Sequence, residues 1–330
     1  MLHIHNGDST AGTARQTDLP GEHLAWREAM ICGPAPGGLP ADEFLSVRAE
    51  HLASAYGVDI EKCKLELRTQ EDAIARFSDH EEIVLWFEHD LFCQVHLIYL
   101  LDWFARRELG ETRLSLICKG DFPGIEGFSG LGQLSKEELA SLFPERQEVS
   151  QEQLLIGSQA WRAYSAPDPA PLLTLLDSDL SAMPFLARAL SKHLQRFPST
   201  TNGLGRIQHI GLELVARGYG KFKSLFPAFA RHESDYGFGD AQLYFELKKL
   251  ADAPAPLLRL SQGSEGASLD PAQIFLSSFE ITELGRAVLE GNEDYVRKNG
   301  IDHWLGGVHL EGDEAAWRWE MGAQELLRRL

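Results

Sequence analysis

The sequence is poor in cysteine, and its cysteines form no recognisable motif. The 330 residues include four cysteines, which lie far apart and contain no Cys-x-x-Cys pair. This spacing argues against a zinc ribbon and against a thioredoxin-like redox centre. Cys118 lies in the apolar segment 114–118, where we expect a buried and unreactive thiol.

Long apolar runs are also missing. No stretch of about 18 apolar residues occurs, and a membrane-spanning helix requires about that length. The first residues do not combine a basic region with an apolar segment, so we predict no secretory signal. We therefore expect no membrane contact and a cytoplasmic location. The content of 44% hydrophobic and 24% charged residues is typical of a globular protein.

Positive charge is scarce. The chain has 31 Lys and Arg against 49 Asp and Glu, a net charge of −18. A protein with this balance repels nucleic acids and anionic membranes over most of its surface. In the segment 199–260, however, eight Lys and Arg outnumber six Asp and Glu. We expect only this segment to face a polyanion.

Two apolar segments each lead directly into a group of polar residues. Residues 2–6 are followed by Gly7-Asp8-Ser9-Thr10, and residues 83–87 are followed by Glu88-His89-Asp90. Both segments are typical of buried strands of a parallel sheet. Ligands of open α/β sheets bind beyond the carboxyl ends of the strands. The sequence therefore predicts a binding or catalytic site that contains both polar groups.

Buried strands alternate with helices over the first 125 residues or so. Further strands are predicted at 23–26 and 114–118, and helices at 41–56 and 91–106. This order predicts a Rossmann-like α/β domain with a parallel sheet and flanking helices. Residues 7–12 are expected to form a turn before a helix that starts at Thr13. We expect no regular structure in the Gly/Pro-rich segment 33–38.

Three regions are predicted along the chain: an α/β ligand-binding domain at 1–130, a helical connector at 131–198 and a winged-helix-like domain at 199–330. The connector begins with a capping box between Ser135 and Glu138. The third region contains helices at 206–217, 222–232 and 240–251, followed by strands at 257–260 and 279–282. Three helices followed by a hairpin is the order of a winged helix-turn-helix. Trp304, Trp317 and Trp319 are expected in a carboxyl-terminal hairpin or strand.

The amino-terminal residues match a known pattern in order and spacing. The matching segments are His3-Ile4, Asn6–Ser9, Trp26–Glu28, Gly33-Pro34, Leu85–Asp90 with Gln94, and Lys119-Gly120. Together they cover about a third of the chain and resemble the bacterial family called domain of unknown function 1835. Residues 199–204 and 301–310 also resemble proteins of this kind. The resemblance implies a shared fold more than a shared reaction.

The polar residues at the strand ends are the candidate site. Eight residues are assigned to ligand binding: Gly7, Asp8, Ser9, Thr10, Arg27, Glu28, Glu88 and Lys119. Three are candidates for catalysis: His89, Asp90 and Ser9. In one interpretation Gly7, Gly12 and the hydroxyl groups accommodate a nucleotide phosphate, and Arg27, Lys119 or a metal ion offsets the charge of Asp8. In the other, one carboxylate and His89 share acid–base work.

Each assignment has a structural alternative. Gly7-Asp8-Ser9 resembles the opening motif of the Gly-Asp-Ser-(Leu) hydrolases, in which the serine is the nucleophile, but Asp8 and Ser9 would equally cap a helix. Asp90 would cap the helix that follows it, with Glu88 pairing to Arg27.

Two sets of residues could hold a metal ion. One is Asp8, Glu88 and Asp90, around a divalent cation. The other is His3, His5 and His89, although we expect His3 and His5 to be packed histidines that share one face of a strand. No metal ligand is assigned, and the sequence names no cofactor.

The helix at 240–251 would be the recognition helix of a winged helix, and it exposes Gln242, Glu246, Lys248 and Lys249. Lys221, Lys223 and Arg231 would assist it.

The leading hypothesis is a regulatory or nucleic-acid-associated protein that binds a small, nucleotide-like anion and contacts RNA, DNA or a protein of nucleic-acid metabolism through 199–260. The alternative is a hydrolase or transferase that uses His89 and Asp90 with Ser9 or a metal-activated water. A homodimer is also compatible with the sequence.

Overall fold

The computed structural model describes residues 1–261 and 271–328. Within these residues the fold is mixed α/β, as the sequence predicts, with twelve strands and fourteen α-helices. Of the helices in the described ranges, none combines the length and the apolar character needed to cross a membrane.

The strands lie mainly in the first 120 and the last 75 residues, and helices dominate the middle. The strands are β1 Leu2–Asn6, β2 Glu22–Trp26, β3 Gly33–Pro34, β4 Glu82–Glu88, β5 Arg113–Lys119, β6 Gln147–Glu148, β7 Leu258–Ser261, β8 Ser278–Ile281, β9 Ile301–Gly306, β10 Val308–Gly312, β11 Trp317–Glu320 and β12 Glu325–Arg328. The helices are α1 Asp8–Ala14, α2 Ala41–Tyr56, α3 Ile60–Ala75, α4 Leu91–Ala105, α5 Lys136–Ser141, α6 Gln151–Tyr164, α7 Ala170–Leu176, α8 Leu186–Leu194, α9 Arg206–Ala216, α10 Phe222–His232, α11 Asp240–Asp252, α12 Pro271–Leu276, α13 Glu283–Leu289 and α14 Tyr295–Asn299.

The main sheet has five strands in the order β2-β1-β4-β5-β6. The first four strands are parallel, and the two-residue strand β6 joins the edge antiparallel to β5. Every residue of β4 is buried because helices and loops cover both faces of the sheet. The four predicted strands of this region are confirmed.

The first helix differs from the prediction. The turn expected at 7–12 is wrong, because α1 starts at Asp8 and contains Gly12. Gly7 alone reverses the chain, with φ +90° in the region that favours glycine. A glycine inside a helix costs only about 1 kcal/mol, and the buried Ala11 and Ala14 favour the helical conformation.

The capping box of α5 is confirmed: the Ser135 hydroxyl accepts from the Glu138 amide, and the Glu138 carboxylate accepts from the Ser135 amide. Helices α5 to α8 fill the predicted helical middle, interrupted by β6.

The predicted helices and strands of the third region are also present. Helices α9, α10 and α11 precede β7 and β8, which pair antiparallel from Leu258 opposite Ile281 to Ser261 opposite Ser278. Part of the long connection between these strands, residues 262–270, lies outside the described residues. Phe222 contacts the rings of Tyr244 and Phe279, which joins α10, α11 and β8.

A second small sheet joins distant parts of the chain. Strands β9 and β10 form an antiparallel hairpin, and β3 pairs parallel to β9, with Gly33 opposite Leu305 and Pro34 opposite Gly306. The expectation that the Gly/Pro-rich segment has no regular structure is therefore wrong at Gly33 and Pro34. Their partner strand is some 270 residues away, and local composition carries no information about it. The predicted carboxyl-terminal hairpin is present twice, as β9–β10 and β11–β12.

One continuous group of buried apolar side chains extends through the molecule. It includes Ile4 and Leu85 of the sheet, Leu190 of α8, Leu247 of α11 and Leu305 of β9. The three predicted regions therefore pack against one another.

Candidate functional site

The chain changes direction across the sheet at β1. From β1 it moves to β2 on one side, and it later returns to β4 on the other side. The loops that follow β1 and β4 therefore leave the sheet edge in opposite directions, which is where open α/β sheets bind ligands. Gly7 and Asp8 follow β1, and Glu88, His89 and Asp90 end β4 and precede α4.

Glu88, Asp90 and Cys93 form a buried cluster at this point, which we call the acidic cluster. One potential ligand atom from each side chain lies within 4.8 Å of the others. Asp90 is the N-cap of α4 and accepts a hydrogen bond of 2.9 Å from the Cys93 amide. The Cys93 thiol donates to the Glu88 carboxylate. The capping role expected for Asp90 is confirmed.

Asn6 at the end of β1 connects this cluster to His96. Its Nδ2 donates to Cys93 Sγ at 2.7 Å, and its Oδ1 lies 2.8 Å from His96 Nδ1. His96 Nε2 accepts from the Met30 amide at 3.3 Å, so the proton of the neutral ring is on Nδ1 and donates to Asn6. Burial lowers the pKa of His96 to about 3, which keeps this ring neutral.

The side chains of the acidic cluster have raised pKa values. Burial raises the pKa of Glu88, and burial together with the charge of Glu88 raises the pKa of Asp90 to about 7. Burial also raises the pKa of the Cys93 thiol well above its usual range. Two carboxyl groups this close in a dry environment do not both ionise near neutral pH. The cluster is therefore able to gain or release a proton in the physiological range.

Two segments cover the acidic cluster. The Leu131 amide donates to Glu88 Oε1 at 2.7 Å. On the other side, Gly237 approaches Asp90 so closely that a Cβ atom there would lie 2.2 Å from Oδ1. Glu88 and Asp90 are each only 5% exposed as a result.

The loop after β1 is, in contrast, open to solvent. Asp8 accepts three hydrogen bonds of 2.7–2.9 Å from Arg27, and both side chains are about half exposed. These bonds and the charge of Arg27 lower the pKa of Asp8. The expected pairing of Glu88 with Arg27 is wrong, because Asp8 is the partner of Arg27. Helix α1 has no side-chain cap, so the capping role expected for Asp8 and Ser9 is also wrong.

Ser9 and Thr10 lie under the segment that covers Glu88. In the described part of the chain, the Ser9 hydroxyl donates one long hydrogen bond of 3.5 Å, to the Gly132 carbonyl. Thr10 is 2% exposed. A serine nucleophile needs a base within hydrogen-bond distance. The contacts of Ser9 supply none, and its role as nucleophile stays a prediction.

A cavity of about 210 Å³ lies at the carboxyl end of β5. Its lining includes Cys118 and Lys119 of β5, Gln94 of α4, Glu145 and Phe185. His89 borders this region because its ring contacts Phe185, with centroids 6.1 Å apart, and its Nδ1 is buried without a partner among the described residues. Lys119 also pairs with Glu145. Of the candidates, Lys119 lines this cavity, and His89 contacts its wall at Phe185.

Glu28 belongs to a separate, internal ion pair. Its carboxylate accepts hydrogen bonds of 2.7 and 2.8 Å from Arg48, and both side chains are almost completely buried. Arg48 also donates to the carbonyl groups of Ala29, Cys32 and Pro34. The carboxylate of Glu28 is therefore fully used by an internal ion pair.

The histidines of β1 are packed, as expected, and do not approach His89 as ligands. His3 Nδ1 accepts from the Trp86 indole at 3.0 Å, and His5 Nε2 lies 2.9 Å from His23 Nδ1. Burial lowers the pKa of His3 to about 4 and that of His5 to about 2. These rings form a neutral stack on one face of the sheet.

The exposure expected on the recognition helix is wrong for Glu246; Gln242 and Lys248 are half-buried, and Lys249 is exposed as expected. Glu246 of α11 is buried and pairs with Lys249 at 2.9 Å. Gln242 donates to the Tyr56 hydroxyl of α2 at 3.0 Å. This face of α11 therefore packs against the rest of the molecule. Lys221, Lys223 and Arg231 are exposed.

Sequence reasoning missed Asn6, Cys93 and His96. The sequence shows Cys93 as one of four isolated thiols, although its spacing of three from Asp90 places it in the first turn of α4 beside the cap. Asn6 and His96 are 90 positions apart, and only the pairing of β1 with β4 brings them together.

No protein-family model matches the chain, and no curated protein matches it. The resemblance to the domain of unknown function 1835 family therefore stays a prediction from the residues that carry it.

Proposed function

We propose that this chain binds a small anionic ligand at the carboxyl edge of its main sheet and acts as a regulatory or nucleic-acid-associated protein. We interpret the sheet as Rossmann-like, because its strand order places β1 at a topological switch point. The observation that carries the proposal is the cavity at the end of β5, where Lys119 supplies a positive charge beside Gln94 and the wall formed by Phe185.

The size of this cavity limits the ligand. Sites for drug-sized molecules have volumes of roughly 300–1,000 Å³, and this cavity has about 210 Å³. A phosphate or small carboxylate group fits, whereas a whole nucleotide would extend into solvent past His89. Lys119 would exchange its ion pair with Glu145 for one with the ligand. The acidic cluster lies behind the cavity, on the other side of Gln94, which donates to the Glu88 carbonyl at 2.7 Å.

The test is thermal unfolding with inorganic phosphate and with AMP. Both should raise the Tm of the wild type, by about 2–5 °C at saturation. Lys119→Gln should lose this shift, whereas Lys136→Gln, at an exposed lysine of α5, should keep it. An unchanged shift in Lys119→Gln, or no shift in the wild type, would contradict the proposal.

A hydrolase or transferase is the second candidate, and the pKa of Asp90 near 7 favours it. A carboxyl group with such a pKa exchanges protons readily at neutral pH. It would take a proton from an attacking water and return it to the leaving group. The cluster would have to open to substrate, because Leu131 and Gly237 cover it.

Turnover of p-nitrophenyl acetate and p-nitrophenyl phosphate tests this candidate. His89→Ala and Asp90→Asn should abolish turnover, and Ser9→Ala should do so only if the serine is the nucleophile. Phosphate binding without any turnover would support the regulatory interpretation instead.

We further interpret α9, α10, α11 and the β7–β8 pair as winged-helix-like. Because α11 packs inward, the exposed Lys221, Lys223 and Arg231 on or next to α10 are the proposed contacts to RNA, DNA or a protein of that machinery. Titration with RNA and DNA at 50 and 200 mM salt should show weaker binding at the higher concentration, with a slope of about −0.9 per phosphate contact on duplex DNA. Binding that does not depend on salt or on these three residues would remove the nucleic-acid partner.

A further inference from the structure

A second, larger cavity lies far along the chain from the carboxyl-edge residues. It has a volume of about 350 Å³ and is enclosed by the α8–α9 connection, α11, α14 and β9. Arg196, Gln208, Glu246, Lys249, Tyr295 and His303 contribute its polar and ionisable lining. This volume lies within the range of small-molecule sites, which often occur where parts of a protein meet.

Arg196 is the unusual residue of this cavity. It is only 6% exposed, and its Nη1 has no hydrogen-bond partner among the described residues. The nearest aromatic ring described for it, Phe238, has its centroid 5.8 Å from Cζ. The guanidinium interacts with the neutral Tyr164 hydroxyl, but within the described residues no carboxylate forms an ion pair with it, whereas proteins normally pair a buried charge.

The other charges of the cavity compensate one another. Lys249 pairs with Glu246 at 2.9 Å, and Gln208 donates to Glu246 at 3.1 Å. Burial opposes ionisation of Glu246, but the charges of Lys249 and Arg196 outweigh it and lower the pKa of Glu246 to about 2. Two cations, Lys249 and Arg196, therefore share the single buried carboxylate of Glu246, and this part of the lining keeps one excess positive charge.

His303 adds a neutral donor. Burial and the charge of Lys249 lower its pKa to about 3. Lys249 Nζ lies 3.5 Å from His303 Nδ1, so Nδ1 is the acceptor and the ring proton is on Nε2. The Tyr295 hydroxyl and the Gln208 amide offer further polar contacts in the same cavity.

We propose that this cavity binds a small organic monocarboxylate whose carboxylate pairs with the guanidinium of Arg196. The planar fork of an arginine matches a carboxylate with two parallel hydrogen bonds. One negative charge neutralises Arg196, whereas a dianion would add unpaired negative charge close to Glu246. The neutral body of the ligand would contact Tyr295 and Ile207. This site is separate from the carboxyl-edge cavity and does not depend on the function proposed for it.

The rim of the cavity also disfavours dianions. Asp302 and Asp313 line it at its solvent side, and the Asp302 side chain is 80% exposed. Exposed charges are screened by water and salt, so their effect on a monoanion held at the buried Arg196 is small. Their repulsion increases with the charge of the ligand.

Calorimetric titration with sodium acetate, lactate and benzoate at pH 7.4 tests the proposal, with inorganic phosphate as the dianionic comparator. All titrations use a Lys119→Gln background, which removes the anion site proposed at the carboxyl edge. At least one monocarboxylate should bind saturably with one site per chain, and more tightly than phosphate at this site. Arg196→Met should weaken this binding at least tenfold. Arg286→Met, the same change at an exposed arginine of α13, should leave it unchanged.

The stability of the free protein separates a binding role from a structural one. If the role of Arg196 is to bind a ligand, Arg196→Met removes a buried charge that has no ion-pair partner in the free protein. The Tm of the free protein should then stay equal or rise. A fall in Tm of several degrees without ligand would show that Arg196 is structural and would overturn the proposal. Equal monocarboxylate affinity in Arg196→Met, no saturable binding in the wild type, or tighter phosphate binding at this site would overturn it as well.

Lys249→Gln provides a second test that does not change Arg196. The side chain of Lys249 is 42% exposed, so the substitution is compatible with folding. It leaves Glu246 without its cation and makes the cavity more negative. Monocarboxylate binding should weaken severalfold, and unchanged affinity would contradict the charge argument.

Discussion

Two buried arginines differ in whether a carboxylate pairs with the guanidinium group. Arg48 of α2 is completely buried, and its guanidinium meets the Glu28 carboxylate and three backbone carbonyl groups. Arg196, after α8, is nearly as buried and lines a cavity, but no carboxylate of the described residues pairs with it, and its Nη1 has no hydrogen-bond partner there. Arg48 finds all its partners within the protein, whereas we propose that the carboxylate of a bound ligand pairs with Arg196.

This difference distinguishes a buried charge that stabilises the fold from one that is available to bind a ligand. A buried ion pair whose donors and acceptors are all satisfied holds local structure together. Around Arg48 this structure is the connection from β2 to the small sheet, since Arg48 fixes the carbonyl groups of Cys32 and Pro34 beside β3. Burial alone therefore does not identify a site. Arg196 differs from Arg48 because it also lines a cavity and no carboxylate of the described residues pairs with it.

The largest effect should come from Arg48. We expect Arg48→Met to lower the free energy of unfolding by about 3–5 kcal/mol, because it leaves the Glu28 carboxylate buried without a cation. Urea denaturation measures this value. The double variant Glu28→Gln with Arg48→Met should recover part of the loss, since no buried charge remains. A loss below about 1 kcal/mol in Arg48→Met would remove the contrast with Arg196.

The acidic cluster should make stability depend on pH. Burial and Glu88 raise the pKa of Asp90 from 3.8 to about 7, so the folded protein binds this proton more tightly than the unfolded chain. The resulting stabilisation is complete below pH 4 and disappears as the pH rises through 7. Between pH 4 and pH 8, Asp90→Asn should therefore gain on the order of 2–4 kcal/mol relative to the wild type.

Asp59→Asn is the matched control for this prediction. Asp59 is also an N-cap, of α3, and accepts from the Lys62 amide at 2.9 Å, but it is exposed. Its substitution should lower stability by about 1 kcal/mol or less without the same pH dependence. Parallel pH profiles for Asp90→Asn and the wild type would show that Asp90 titrates normally.

Gly237 tests how tightly the acidic cluster is covered. Gly237→Ala places a Cβ atom against Asp90 at a φ of +63°, and we expect a loss of about 2–3 kcal/mol from strain and overpacking. Gly218→Ala is the control, because its φ is also positive but its Cβ would meet nothing within 4 Å. It should cost only about 1 kcal/mol. Equal losses in chemical denaturation would mean that Gly237 does not seal the cluster.

The smallest effect should come from the exposed pair of Asp8 and Arg27. Its geometry is as good as that of Glu28 and Arg48, but both side chains are about half exposed. Asp8→Asn should lower the free energy of unfolding by about 0.2–1 kcal/mol, and less in 1 M salt because of screening. A loss comparable to that of Arg48→Met would show that burial does not set the scale of these pairs.

The sequence predicted the elements of the sheet well because their signals are local. The apolar residues 83–87 and the polar residues after them identified β4 and the cap of α4 from adjacent positions. The capping box of Ser135 and Glu138 is likewise complete within four residues. Such patterns need no knowledge of the rest of the fold.

The errors have a common physical origin in long-range contacts. The burial of Glu246 depends on the packing of α11 against distant parts of the chain, so its helical position alone suggested exposure. The partner of Arg27 and the pairing of Gly33 depend on which strands become neighbours. No sequence pattern indicates that Arg196 lines a cavity, because a cavity forms only when distant segments pack together.

The pairing of β3 with β9 constrains how this protein forms during synthesis. Gly33 and Pro34 leave the ribosome early, but Leu305 and Gly306, to which they pair, follow only after some 270 further residues. Contacts of such long sequence separation are slow to form, since a long loop must close first. The small sheet therefore closes only after β9 has been synthesised, and until then the segment after β2 lacks its strand partner.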